Sequence, residues 1–209
     1  MMEGFIDVEK ISVFDRILLF LTGFLAAYQI AIGIDHFSKI PMLAYTIGYG
    51  FLLLAGLLII ILGFEVLDSS IVVIISSTIP LSLSLGLVWE YLPAFRVIYL
   101  VFILFGYLAI MATRFFLMEN SLPWIMVAVF HGVAGLIIFI LPEVLVFTGQ
   151  TGPIFSLVGF GGALIGIGGL LLVMLRAGKP LLSRQSIFRI LPILLLLMTA
   201  SFVLGFSAI

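Results

Sequence analysis

The sequence predicts an all-α, polytopic transmembrane bundle of seven spans, with the N-terminus cytoplasmic and the C-terminus outside. Three observations carry this expectation. First, 64% of the residues are hydrophobic and only 9% are charged, whereas a soluble domain carries about a quarter charged residues. Second, apolar stretches recur at about the 20-residue length that a helix needs to cross a hydrocarbon core. Third, Lys and Arg are distributed unevenly between the two sets of connecting segments, and positive charge is retained on the cytoplasmic side.

The spans read as 13–34, 41–63, 70–89, 96–117, 122–141, 154–175 and 187–208. Pro41 and Pro123 fall in first turns, where the missing N–H of proline costs nothing. Asp68, Ser69 and Ser121 stand where they could cap the spans that follow. Gly178-Lys179-Pro180 stops the sixth span. Trp89 and Trp124 fall at span ends, at the depth where an indole suits the headgroup region. The third span is the least regular, since its interior contains Pro80 and five hydroxyl residues, Ser76, Ser77, Thr78, Ser82 and Ser84.

One side of the bundle collects Lys10, Arg16, Arg114, Arg176, Lys179, Arg184 and Arg189, and the other only Lys39 and Arg96. This seven-to-two split sets the expected orientation. The first apolar stretch follows an acidic segment (Glu3, Asp7, Glu9) without a small-x-small cleavage pattern, so it reads as a retained first helix. No internal repeat or low-complexity linker divides the chain, and residues 1–209 read as a single transmembrane domain. The expected setting is the cytoplasmic membrane of a prokaryote.

Within a bilayer, helices associate through close packing and interhelical hydrogen bonds rather than a hydrophobic driving force. Two small-residue stripes suggest packing faces: Gly159, Gly162, Gly166 and Gly169 in the sixth span, and Gly23, Ala27 and Ala31 in the first. Such stripes serve intramolecular packing or a face for a second subunit. Leucine at Gly162 or Gly166 is expected to insert bulk where two backbones approach.

Ionisable groups deep in a membrane are costly and are candidates for function. His131 lies nine residues into the fifth span, near the midplane, followed by Gly132 and Gly135. The third span offers a possible polar counterpart in Ser76, Ser77, Thr78, Ser82 and Ser84 around Pro80, whose ring frees the Ser76 carbonyl. Midplane backbone freed in this way forms substrate sites in many transporters. The competing reading is that the hydroxyls bond their own helix and the histidine bonds a neighbour. A second candidate group, Asp35, Glu90 and Glu143, lies at the outer ends of the first, third and fifth spans. There carboxylates oppose the helix dipole and invite compensation by Lys39, His36, Arg96 or a cation. On the inner side, Glu65, Asp68, Arg114 and Glu119 flank loops, and the basic segment 176–189 suits anionic lipid headgroups.

Several chemistries are excluded by their required residues. The chain has no cysteine and no HExxH, and its lysines lie outside the spans. His36 and His131 stand at different depths and make no haem pair. No paired intramembrane aspartates occur, and no histidine follows Ser156 to serve a serine nucleophile. No cofactor, metal or catalytic residue is expected. Nine basic against ten acidic residues give no face for nucleic acid. The expected partners are the bilayer and, beyond it, other membrane subunits or further copies of the chain. Two functions suit these features. One is a non-catalytic scaffold or anchor subunit of a membrane complex. The other is a compact transporter or channel for a proton, small ion or small neutral solute, using the midplane around Pro80 and His131.

Overall fold

A computed structural model describes residues 11–34, 37–116, 121–176 and 178–208. Seven helices are long and apolar enough to span a membrane. They are α1 (Val13–Ile32), α2 (Lys39–Leu62), α3 (Ser70–Tyr91), α4 (Arg96–Phe115), α5 (Leu122–Phe147), α6 (Ser156–Arg176) and α7 (Arg184–Phe206). The chain is therefore an all-α, multi-pass membrane protein.

Local chemistry explains the boundaries. Ser12 begins α1 with a reciprocal capping box: its hydroxyl accepts from the Asp15 amide (3.1 Å), and Asp15 accepts from the Ser12 amide (3.0 Å). Gly63 ends α2 at φ +80°, a conformation that strains any residue with a β-carbon, and its amide donates to the Ile59 carbonyl at 2.8 Å. Ser69 and Ser121 occupy N-cap positions without side-chain cap bonds.

Two prolines lie inside helices. Pro80 does not interrupt α3, which runs through it to Tyr91. Pro142 does not end α5, which continues to Phe147. Both rings are buried. Proline is tolerated inside membrane helices because neighbouring helices and hydroxyl side chains re-satisfy the backbone that it frees. In consequence Glu143 sits inside α5 rather than beyond its end.

The helices pack in a closed sequence. α1 contacts α2 and α7, α2 contacts α3, α3 contacts α5, α5 contacts α6, and α6 contacts α7. These contacts make a ring of six helices. α4 stands outside it, against α3 and α5.

Neighbours along the chain run in alternate directions, as the residues gathered at each end show. At one end Phe64, just after α2, stacks on Phe188 at the start of α7 with centroids 5.1 Å apart. Asp68, just before α3, pairs there with Arg176 at the end of α6 and with Arg184 at the start of α7. The opposite end gathers Phe37, Tyr91, Phe155 and Phe206.

The first-span stripe is revised. The buried face of α1 carries Leu19, Thr22, Gly23, Ala26 and Gln29, while Ala27 and Ala31 are exposed. The reason is that polar Thr22 and Gln29 must turn inward, away from lipid, and they fix the rotation of the helix. Gly23 alone of the expected stripe packs inward, where a β-carbon would lie 3.1 Å from Leu53.

Candidate functional site

The lumen of the six-helix ring is filled unevenly along its length. Towards the Glu90 end it is plugged by aromatic side chains. Tyr45 and Phe206 lie 4.6 Å apart between centroids, Phe37 stacks on Tyr45 at 5.5 Å, and Phe155 meets Tyr91 at 5.7 Å. Towards the Arg176 end it contains a cavity of about 580 Å³. Every helix except α4 contributes to the wall.

The wall is almost wholly apolar. Its polar groups are Thr22, Ser76, Ser77, Trp124, His131 and Arg176. Of the expected midplane group, His131, Ser76 and Ser77 therefore share one cavity, whereas Thr78, Pro80, Ser82 and Ser84 do not border it. Four of the five hydroxyls are bonded to their own helix. Ser77 and Ser76 donate to the Val73 carbonyl at 2.8 and 3.1 Å, and Thr78 donates to Ile74 at 3.1 Å. Ser84 donates to Leu81 at 3.0 Å and accepts from Tyr99 at 2.9 Å. This leaves Ser76 and Ser77 with acceptor capacity facing the cavity.

His131 is the exception. Both ring nitrogens are buried with no hydrogen-bond partner among the described residues. An imidazole in that position carries one free donor and one free acceptor. The ring is accommodated by Gly169 of α6, where a β-carbon would stand 3.2 Å from Nε2 and 3.3 Å from Cδ2.

The sixth-span stripe does two different jobs. At Gly162 a β-carbon would lie 2.7 Å from the Ile138 carbonyl carbon and 2.7 Å from the Phe139 amide nitrogen, so α5 and α6 touch backbone to backbone. Gly159 is equally closed, against the Phe139 carbonyl (2.8 Å) and Glu143. At Gly166, one turn further, nothing stands within 4 Å. The expectation that leucine at Gly166 would clash is therefore corrected: this glycine borders the cavity. On α5, Gly132 and Gly135 are equally free of neighbours and border the same space.

At the Arg176 end the cavity is bordered by Leu67, Trp124 and Arg176. Arg176 donates to the Leu67 carbonyl at 2.6 Å and pairs with Asp68, which also accepts from Arg184 at 2.8 Å. The guanidinium of Arg114 lies 3.8 Å from the centroid of the Trp124 ring, and that of Arg176 lies 5.4 Å from it. Arg114 is 9% exposed, and its Nε and Nη2 have no hydrogen-bond partner among the described residues. Arg114 and Arg176, which flank different loops in the sequence, thus converge on one indole, and Arg176 brings Asp68 with it.

The acidic group is not assembled into a centre. Asp35 lies outside the described residues. Glu90 accepts from the Ser38 hydroxyl at 3.4 Å, and Glu143 lies against Gly159. Arg96 donates to the Trp89 carbonyl at 2.5 Å and sits over its ring. No cluster of three His, Asp or Glu among the described residues could hold a metal.

A second polar spot escaped the sequence reading. Gln29 Oε1 and the hydroxyls of Tyr45 and Tyr49 are buried without hydrogen-bond partners among the described residues and border a cavity of about 10 Å³, room for no more than a water molecule.

No known protein family, curated protein or solved structure matches the chain.

Proposed function

We propose that this protein binds and carries a largely apolar small molecule within the bilayer, using the cavity bordered by His131, Ser76 and Ser77. The observation that carries this reading is the unpartnered imidazole beside about 580 Å³ of apolar-walled space. Membrane proteins place ionisable groups in their spans at a cost, and they do so where a ligand or pathway uses them. The volume lies in the usual range of small-molecule sites, about 300–1,000 Å³. The wall disfavours a bare ion, which would exchange its hydration shell for a few hydroxyls and one imidazole. A proton or ion pathway is thus the weaker form of the transporter reading.

The test is organic extraction of protein purified in mild detergent. The expected outcome is a defined small molecule that leaves with the wild type and is depleted in His131→Leu. A stoichiometric protein partner with no such molecule would instead favour the anchor-subunit reading. That reading draws on α4, which stands outside the ring with Val97, Ile98, Val101, Leu104, Phe105 and Leu108 exposed. Such a face serves lipid or a neighbouring subunit equally.

The proposed orientation puts the Arg176 end in the cytoplasm, supported by the seven-to-two division of Lys and Arg. Reporters fused after Ile209 and within 176–186 are expected on opposite sides of the membrane. Signals from the same side would refute it.

A further inference from the structure

We infer that the cavity takes an acidic single-chain amphiphile, with its hydrocarbon chain in the lumen and its anionic head against Arg114 and Arg176 at Trp124. This rests on the reading above, that the cavity receives a molecule, and adds what kind of molecule it is.

The chain follows from shape and volume. The cavity follows α5 from Trp124 to Phe139, about 22 Å at 1.5 Å per residue. One leaflet contributes only about 15 Å of a hydrocarbon core, so the space is long enough to take an extended chain. At the ~30 Å³ that a water molecule takes in the liquid, 580 Å³ holds about twenty groups of methylene size. That is one long acyl chain and not the two of a phospholipid. His131 lies along this path and offers hydrogen bonds to a hydroxyl or carbonyl carried on the chain.

The head follows from charge. Among the described residues, Arg114 and Arg176 both lie over the Trp124 ring, and Arg176 shares the Asp68 carboxylate with Arg184. Asp68 serves Arg176 and Arg184. Arg114 is left with two buried, unpartnered N–H-bearing nitrogens beside the indole that borders the cavity. A buried guanidinium gains most from an oxyanion that accepts from two of its donors at once, as a carboxylate or phosphate does. A neutral carbonyl or hydroxyl head would meet those donors with weaker bonds and would leave the buried charge uncompensated. Cationic surroundings and an apolar bore thus meet at one residue, Trp124, which is also a spectroscopic reporter.

The experiment uses that reporter. The chain has two tryptophans, and Trp89 lies at the far end of α3, so Trp89→Phe isolates the Trp124 signal. The protein is placed in phosphatidylcholine vesicles and titrated with a bromine-labelled long-chain fatty acid, then with its methyl ester. The expected result is saturable quenching of Trp124 by the acid and about tenfold weaker quenching by the ester, the loss of one charge-assisted hydrogen bond. Arg114→Gln should weaken the acid about tenfold and leave the ester unchanged. Gly166→Leu should abolish saturable quenching by both. An ester that binds as tightly as the acid would overturn the anionic head and leave the cavity reading standing. No saturable quenching by either would remove the cavity reading and this inference together. Acid binding that survives Gly166→Leu and is displaced by inorganic phosphate would reduce the site to a surface anion site and overturn the chain placement. The acid–ester comparison needs no variant in the site, so a misfolded Arg114→Gln would not rescue the proposal.

Discussion

The two halves of the ring lumen are enclosed by the same six helices and differ in what those helices point inward. One half is plugged by Tyr45, Tyr91, Phe155, Phe202 and Phe206. The other presents Gly132, Gly135, Gly166, Ala55 and Gly56 around His131 and remains open. Both are apolar, so hydropathy does not distinguish them. What differs is side-chain volume at lumen-facing positions. In water an unfilled apolar space of this size would be costly, because its lining atoms lose dispersion partners. In a membrane protein it is a space that a lipid-derived molecule can fill without leaving an apolar medium. The α5–α6 pair shows the same contrast within one interface: Gly159 and Gly162 bring two backbones into contact, while Gly166 opens onto the cavity.

The largest expected effect is the difference between two equal substitutions. Gly162→Leu drives a side chain into the α5 backbone and should cost about 1–3 kcal/mol or more. Gly166→Leu meets nothing and removes a glycine from a helix interior, so it should be neutral or stabilising by up to about 1 kcal/mol. Thermal unfolding in the same detergent measures both. Equal destabilisation would break the comparison, since it would mean that α5 and α6 touch at Gly166 as well.

A smaller effect sharpens the chemistry of the open half. The imidazole of His131 holds two unpartnered nitrogens, and leaving buried polar groups unmet costs about 1–3 kcal/mol. His131→Leu keeps comparable bulk beside Gly169 and should raise the stability of the ligand-free protein by about 1 kcal/mol. Loss of stability in that variant would show that the ring has a partner in the free protein.

Much of the architecture was legible along the chain. Six of the seven span starts, at 13, 41, 70, 96, 122 and 154, fall within two residues of the helix starts, because long apolar runs bounded by Ser, Gly and Pro leave a membrane helix little choice. The expected span end at 141 falls six residues short of the end of α5, which continues through the buried Pro142 to Phe147. His131 stood out as a solitary ionisable residue in a span, and its glycine neighbours signalled space. The convergence of Arg114 and Arg176 on Trp124 was not legible, because those residues come from three separate helices and their meeting depends on how the helices are arranged around the ring.

By itself, the sequence determined that the chain crosses a bilayer as seven helices, since lipid requires every backbone amide to be satisfied internally and continuous apolar runs of about 20 residues suit a helix, not the alternating strands of a barrel. Which glycines close an interface and which open a cavity was decided only by the tertiary structure. A glycine's effect depends on what faces it, and in a ring of helices the facing residues are set by the rotation of each helix about its axis.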